Sequence, residues 1–205
     1  VAPNPVLTSD VCELAEAPVE HPWFQPGEPP VILGIGRFEK QKDFPTLIRA
    51  FSEFRRRHVA RLVLLGEGPE RERLTTCARD AGIAHDIDMP GFKTNVYAPL
   101  ARRHMFVISS GLECLGVVLI EAMAAGTPAV STDCPSGPAE ILEQGRLGPL
   151  VPCGDPWALA SGMERAWANP VSKGTLRESV YERFSVERSV EAYLTAMNLT
   201  HRVDA

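Results

Sequence analysis

Val31-Ile-Leu-Gly-Ile-Gly-Arg-Phe-Glu-Lys-Gln-Lys-Asp-Phe44, continued by apolar residues at Leu47, Ile48, Phe51 and Phe54, decides how this chain folds. The run Val31–Gly36 is short and continuously apolar, which reads as a strand buried on both faces. Phe44, Leu47, Ile48, Phe51 and Phe54 recur at helical spacing and form one apolar stripe. The alternation then repeats. Arg61–Gly66 reads as a strand and is followed by a polar helix from Pro69 to about Ala81. His85–Met89 and Met105–Ser109 read as strands, with a helix across Asn95–Arg102 between them. Val117–Ala125 reads as a helix, Pro128–Thr132 as a strand and Gly148–Val151 as a short strand. Such alternation specifies an α/β fold, a Rossmann-like parallel sheet with helices on both faces. From Pro156 the pattern is helical, interrupted at Asn169-Pro170 and capped anew at Ser185.

Three segments follow from this pattern. Residues 1–30 contain Pro3, Pro5, Pro18, Pro22, Pro26, Pro29 and Pro30, too many for a helix or an inner strand, and read as an extended lead-in or linker. Residues 31–184 form the Rossmann-like domain, and 185–205 a C-terminal helix and tail.

The bulk numbers narrow the function classes. The 205 residues suffice for one full core, and 23% charged with 44% hydrophobic residues is ordinary for a globular domain. A net charge of -5 gives no general reason to expect nucleic acid. No apolar run reaches membrane-spanning length, and the first residues lack the charged-then-apolar pattern of a signal peptide. Cys12, Cys77, Cys114, Cys134 and Cys153 are odd in number and widely spaced, with no CxxC pair. A zinc site or disulfide framework is therefore not expected, and a cytoplasmic location is. Cys114 reads as a small half-buried residue in place of a nucleophile, since no His lies near it in sequence.

Ligands of open parallel sheets bind at the C-terminal ends of the strands. The unusual residues cluster there: Gly36-Arg37, Gly66-Glu67-Gly68, Pro90-Gly91-Phe92, Ser109-Ser110-Gly111 and Cys134-Pro-Ser-Gly137 each follow a strand. Gly34-Ile-Gly36 lacks the third glycine of a dinucleotide fingerprint, and Glu39 puts negative charge where a pyrophosphate would need open backbone. Arg37 and Lys42, with Gln41 between, suit a phosphate clamp better, because a guanidinium fork and an ammonium both neutralise oxyanions. Glu113 and Glu121, with Cys-Leu-Gly-Val-Val-Leu-Ile between them, put one carboxylate on a loop and one inside an apolar helix. Helical side chains lean toward the helix N-terminus. The expectation is that both carboxylates flank helix amides suited to phosphate, as a nucleotide-sugar pocket requires. Asp86-Ile-Asp88 resembles a metal-binding DxD, but no third ligand is near and it reads as solvated acids at a strand entry.

Together these segments resemble the C-terminal half of retaining nucleotide-sugar glycosyltransferases with the GT-B fold, in the large group 1 family (family 4). The resemblance runs from Asn4-Pro5-Val6 to about Met197. Its motifs are Gly36-Arg-Phe-Glu-Lys-Gln-Lys42-Asp-Phe44, Gly66-Glu-Gly-Pro-Glu70, Pro90-Gly-Phe-Lys-Thr-Asn95, Ser110-Gly-Leu-Glu113, Glu121-Ala-Met-Ala-Ala-Gly-Thr-Pro128 and Ser136-Gly-Pro-Ala-Glu-Ile-Leu142. The resemblance implies catalytic roles for Glu113, on the donor sugar, and for Arg37 and Lys42, on the diphosphate. It implies that Glu121 grips the ribose and that Gly91 and Phe92 border the base. Gly36, Ser110, Leu115, Gly116 and Val117 complete the donor site. It also implies no cofactor and no metal, a UDP-sugar before a GDP-sugar, and a glycan or lipid-linked acceptor held by a preceding domain. That domain is expected to be absent here, so the chain alone should bind donor and transfer nothing. Full-length relatives touch the inner membrane face through that other half. Where the family has Gly-Phe-Gly, this chain has Cys114-Leu115-Gly116, and a Cβ at 114 restricts the turn if it needs positive φ. Other readings are a non-catalytic nucleotide-sugar-binding module and a sugar-nucleotide epimerase relative. An α-glucan phosphorylase would need a pyridoxal-phosphate lysine, and Lys40, Lys42, Lys93 and Lys173 are not in a recognisable setting for one.

Overall fold

The computed structural model describes residues 3–199. Residues 1–2 of the expected lead-in and 200–205 of the expected tail lie outside the described residues. Six parallel strands, β1 (Val31–Ile35), β2 (Arg61–Leu65), β3 (Ile87–Gly91), β4 (Met105–Ile108), β5 (Ala129–Thr132) and β6 (Leu150–Val151), stand in the order β3-β2-β1-β4-β5-β6. Strand order reverses between β1 and β4, which opens a crevice above their C-terminal ends.

Side-chain alternation builds two apolar layers. Val31 and Leu33 of β1, Val63 and Leu65 of β2, and Phe106 and Ile108 of β4 face one layer. Ile32, Leu62, Leu64, Met105 and Val107 face the other. The first layer is closed by α1 (Val11–Glu16), α4 (Tyr97–Ala101), α5 (Val117–Ala124) and α8 (Lys173–Phe184). The second is closed by α2 (Phe44–Arg55), α3 (Arg71–Asp80) and α7 (Pro156–Ala168). A one-turn helix, α6 (Pro138–Ile141), follows β5, and α9 (Val186–Ala196) follows α8.

Local chemistry sets the helix boundaries. Asp155 accepts from the amides of Trp157 and Ala158, both at 2.9 Å, with Pro156 opening α7. Ser172 caps α8, and Ser185 caps α9 through the Arg188 amide, as expected for the break after Pro170 and the start at Ser185.

Residues 3–30 depart from the expected extended linker. They contain α1 and a short 3₁₀ turn, Pro22–Phe24, and they pack on the domain. Leu7, Val11 and Ala15 are buried in the first layer. The amides of Val6 and Leu7 donate to the Phe184 carbonyl at 3.0 Å, and the Val186 amide donates to the Leu7 carbonyl at 3.0 Å. Proline density forbade a long helix; it did not forbid a six-residue one fitted between Asp10 and Ala17. Residues 185–199 are likewise tied to the domain through this bridge.

Candidate functional site

A cavity of about 320 Å³ opens at the crevice between β1 and β4. Ile35, Lys42, Ser110, Glu113, Leu115, Gly116 and Val117 are among the residues that line it. Its centre is an ion pair. Lys42 Nζ donates to both carboxylate oxygens of Glu113, at 2.7 and 2.8 Å, with the side chains only 19% and 11% exposed. Ser110 Oγ donates to Glu113 Oε1 at 2.6 Å. Two loops are stitched together around the pair: Ser109 Oγ donates to the Lys42 carbonyl (2.8 Å) and the Gly111 amide to the Gln41 carbonyl (2.8 Å). Beneath them the buried Thr132 hydroxyl, at the end of β5, donates to the Ser110 carbonyl at 2.6 Å.

The N-terminus of α5 faces the same space. Gly116 sits at φ 69°, which lets the loop turn into the helix; Cys114 has no positive φ, so its Cβ imposes no strain on this turn. Gly137 backs the turn: a Cβ there would lie 2.7 Å from the Leu115 carbonyl oxygen. The segment before α6 therefore supports the backbone of Leu115 and Gly116 at close range.

A second hollow of about 460 Å³ shares Ile35 with the cavity and is bordered by Gly36, Arg37, Glu67, Phe92, Lys93 and Val118. Gly91 terminates β3 beside it, and Phe92 is 73% exposed. Arg71 donates to the Met89 carbonyl at 3.1 Å from two nitrogens and pairs with Glu67, which fixes this rim.

Two expectations about geometry need correction. Arg37 does not stand beside Lys42 as a ready clamp. Its side chain is 74% exposed, its Nε lies 3.0 Å from Glu39 Oε1, and it borders the second hollow. A long cationic side chain with an acid two residues away takes that neighbour when no anion is present. Glu121, expected to flank the same pocket, lines neither hollow. Val118, one turn earlier on α5, reaches both hollows, while Glu121 stands further along the helix. Among the described residues the Glu121 carboxyl has no hydrogen-bond or ion-pair partner, and burial raises it to about 7. Burial also raises the Tyr97 phenol of α4, and the charge of Glu121 adds to that shift. The two acids of the Asp86-Ile-Asp88 segment go separate ways: Asp86 pairs with Arg55 at 2.9 Å and Asp88 with His21 at 2.8 Å. Each has a side-chain partner where solvated acids were expected, because the end of α2 brings up Arg55 and the folded-back segment 3–30 brings up His21.

The sequence reading missed Ser109, Thr132, Glu67 and Arg71 as supports of the site. Thr132 and Ser109 end strands, which is the one signal that pointed at them.

A parallel sheet ordered 3-2-1-4-5-6, with a buried Lys–Glu pair and a helix N-terminus at its switch point, is the form of a nucleotide-binding α/β domain. Residues 20–183 match the family described as glycosyl transferases group 1, and the chain belongs to it. Two lipopolysaccharide core biosynthesis glycosyltransferases of Rhizobium meliloti (strain 1021) are similar. LpsD is 34% identical over 82% of this chain and 49% of its own length. LpsE is 37% identical over 82% of this chain and 50% of its own length. The chain thus spans about half the length of these relatives. Among solved structures, Anabaena Alr3699/HepE in complex with UDP and glucose shares the fold, with a TM-score of 0.75 and 20% identity over 82% of this chain and 48% of that one. The fold is therefore that of a GT-B C-terminal domain. Among the described residues no helix is long and apolar enough to cross a membrane.

Proposed function

We propose that this domain binds a nucleoside-diphosphate sugar, a UDP-hexose before a GDP-sugar, as the donor half of a retaining hexosyltransferase in glycan or polysaccharide synthesis. The observation that carries the reading is the Lys42–Glu113 pair beneath the N-terminus of α5. A diphosphate presented there competes with Glu113 for the ammonium. Once Lys42 turns to phosphate, the Glu113 oxygens are released to accept hydrogens from sugar hydroxyls, while Ser110 keeps the carboxylate in place. Phosphate binding thereby prepares the sugar site. Arg37, exposed at the rim, swings to the same phosphates, and Gly36 lets backbone approach them. The amides after Leu115, Gly116 and Val117 add donors. Glu121 accepts from the ribose hydroxyls, and Gly91 and Phe92 border the base.

In this reading the bond between the anomeric carbon and the diphosphate breaks as the acceptor oxygen bonds to the same face of that carbon. The departing phosphate takes the acceptor's proton. Negative charge grows on the diphosphate, and preorganised donors such as Lys42, Arg37 and the helix amides are each worth a few kcal/mol there. No resident cofactor or metal is needed, because these groups supply the positive charge. The acceptor, a glycan or a lipid-linked oligosaccharide, is held by a further domain, and the reaction belongs to the cytoplasm. Support comes from the likeness to LpsD and LpsE, lipopolysaccharide core biosynthesis glycosyltransferases, and from the UDP and glucose bound to the Anabaena protein.

Calorimetric titration with UDP and with GDP tests the reading. UDP is expected to bind with a dissociation constant on the order of 0.1–1 mM, about 4–5.5 kcal/mol. Glu121→Ala and Lys42→Met should each weaken it. Silence from both nucleotides, for this chain and for the two-domain protein alike, would overturn the donor-site reading. Sugar transfer by this chain alone would overturn the division into two halves.

A further inference from the structure

Cys134 and Cys153 are far apart in sequence and show no cysteine motif, yet the sheet brings them to one level. β5 and β6 are parallel, with Ser131 opposite Leu150 and Thr132 opposite Val151. The pairing continues one step further, because the Asp133 amide donates to the Val151 carbonyl at 2.7 Å. Two residues beyond the last strand pair lie Cys134, in the loop after β5, and Cys153, in the turn after β6. The Thr132 hydroxyl and Cys153 Sγ both donate to the Ser110 carbonyl, at 2.6 and 3.6 Å, so the Cys153 side chain stands beside the end of β5. Neighbouring strands are about 4.8 Å apart. That spacing lies inside the range of about 4.4–6.8 Å between Cα atoms that a disulfide spans.

Two further observations agree. Burial raises the Cys134 thiol, and the charge of Cys153 raises it further, so the two sulfurs sense each other. Burial raises the Cys153 thiol as well, and the nearby Asp133 charge adds to that shift. Their exposure is also divided as an exchanging pair requires: Cys153 is exposed, whereas Cys134 is buried at 4%.

We propose that Cys134 and Cys153 form a reversible disulfide, a modification site directly behind the loop that carries Glu113. The oxidant is a low-molecular-weight disulfide. The Cys153 thiolate attacks one of its sulfurs, the external sulfur–sulfur bond breaks, and one external thiolate leaves. Cys134, losing its proton, attacks Cys153 Sγ in the resulting mixed disulfide, and the second external thiolate leaves. Two electrons pass from the two protein thiols to the external disulfide, and the two protons end on the released thiols.

The modification reaches the site through Ser110. Cys153 Sγ donates to the Ser110 carbonyl at 3.6 Å, beside the Thr132 bond at 2.6 Å, and Ser110 Oγ holds Glu113. A disulfide sulfur has no hydrogen to donate, so oxidation removes one of the two bonds on that carbonyl. It also ties the loop after β5, which contains Gly137, to the turn after β6.

Incubation of the folded chain with oxidised glutathione, an acid quench, alkylation and peptide mapping test the proposal. The expected product is a peptide pair joined through Cys134 and Cys153, reversed by dithiothreitol and formed faster as pH rises and thiolate accumulates. Cys134→Ser should trap glutathione on Cys153, and Cys153→Ser should leave Cys134 unmodified. Stable glutathione on Cys153 of the unsubstituted chain would overturn the proposal, as would a bond from Cys153 to Cys114. So would reaction at exposed Cys12 with both Cys134 and Cys153 still reduced. These readouts are independent of nucleotide binding.

Discussion

Glu113 and Lys42 are each other's main partner in a largely buried setting, so removing one strands the other. Breaking such a pair costs about 3–5 kcal/mol when fully buried, and the residual exposure here sets the expectation near the lower end. Lys42→Met should therefore lower the urea-derived stability by about 3 kcal/mol, and Lys42→Met with Glu113→Gln should recover much of that loss. Equal losses in the single and double variants would mean that the pair has no energetic content. Glu121 gives a pH signature of opposite sign from a paired acid. Its carboxyl is raised to about 7 by burial, so the folded protein holds a proton that the unfolded chain gives up from about pH 4.5. Unfolded chain then binds fewer protons than folded, and stability falls as pH rises between about 4.5 and 7 before levelling off. The shift, discounted for partial exposure, is worth about 2 kcal/mol. Glu121→Gln should flatten that decline in urea midpoints measured from pH 4.5 to 8, and an unchanged slope would remove Glu121 as its source.

At the scale of elements, the turn into α5 depends on the segment before α6. Gly137 has φ 100° and its missing Cβ makes room for the Leu115 carbonyl. Gly137→Ala combines strain with a backbone clash and should cost about 1–3 kcal/mol by thermal denaturation. It should also displace Leu115 and Gly116 from the cavity, weakening any anion bound there more than stability alone explains. Asp155→Ala removes a cap with two 2.9 Å bonds far from the cavity, and should cost about 1 kcal/mol with no change in nucleotide affinity. The strands and the three long C-terminal helices were legible because apolar period and turn residues coincide. α1 and α6 were not, since six and four residues are too few to show a helical period.

At the scale of the molecule, residues 3–30 are part of the domain. Leu7 is 1% exposed, packs in the layer closed by α4, α5 and α8, and joins the start of the chain to the α8–α9 junction. Leu7→Ala should cost about 2–5 kcal/mol. It should lower the midpoint of one cooperative transition; an unaltered midpoint would show that the lead-in unfolds separately.

The sequence alone determined the α/β alternation, the parallel sheet and the strand ends at which Lys42, Ser110 and Glu113 lie. Burial periodicity is a local property, and in the open parallel sheet that it predicts, ligands sit at the strand C-termini. The tertiary structure decided what no local period encodes. Lys42 and Glu113 are 71 residues apart, yet they meet across the switch point because β4 joins β1 there. Arg37, placed at the same site by motif alone, pairs with Glu39, and Glu121 lines neither hollow. Thr132 reaches the Ser110 carbonyl only through the β4–β5 register, and only the β5–β6 register brings the segments that carry Cys134 and Cys153 to one level. Long-range partners depend on strand order and register, and these are settled by the packing of the whole core.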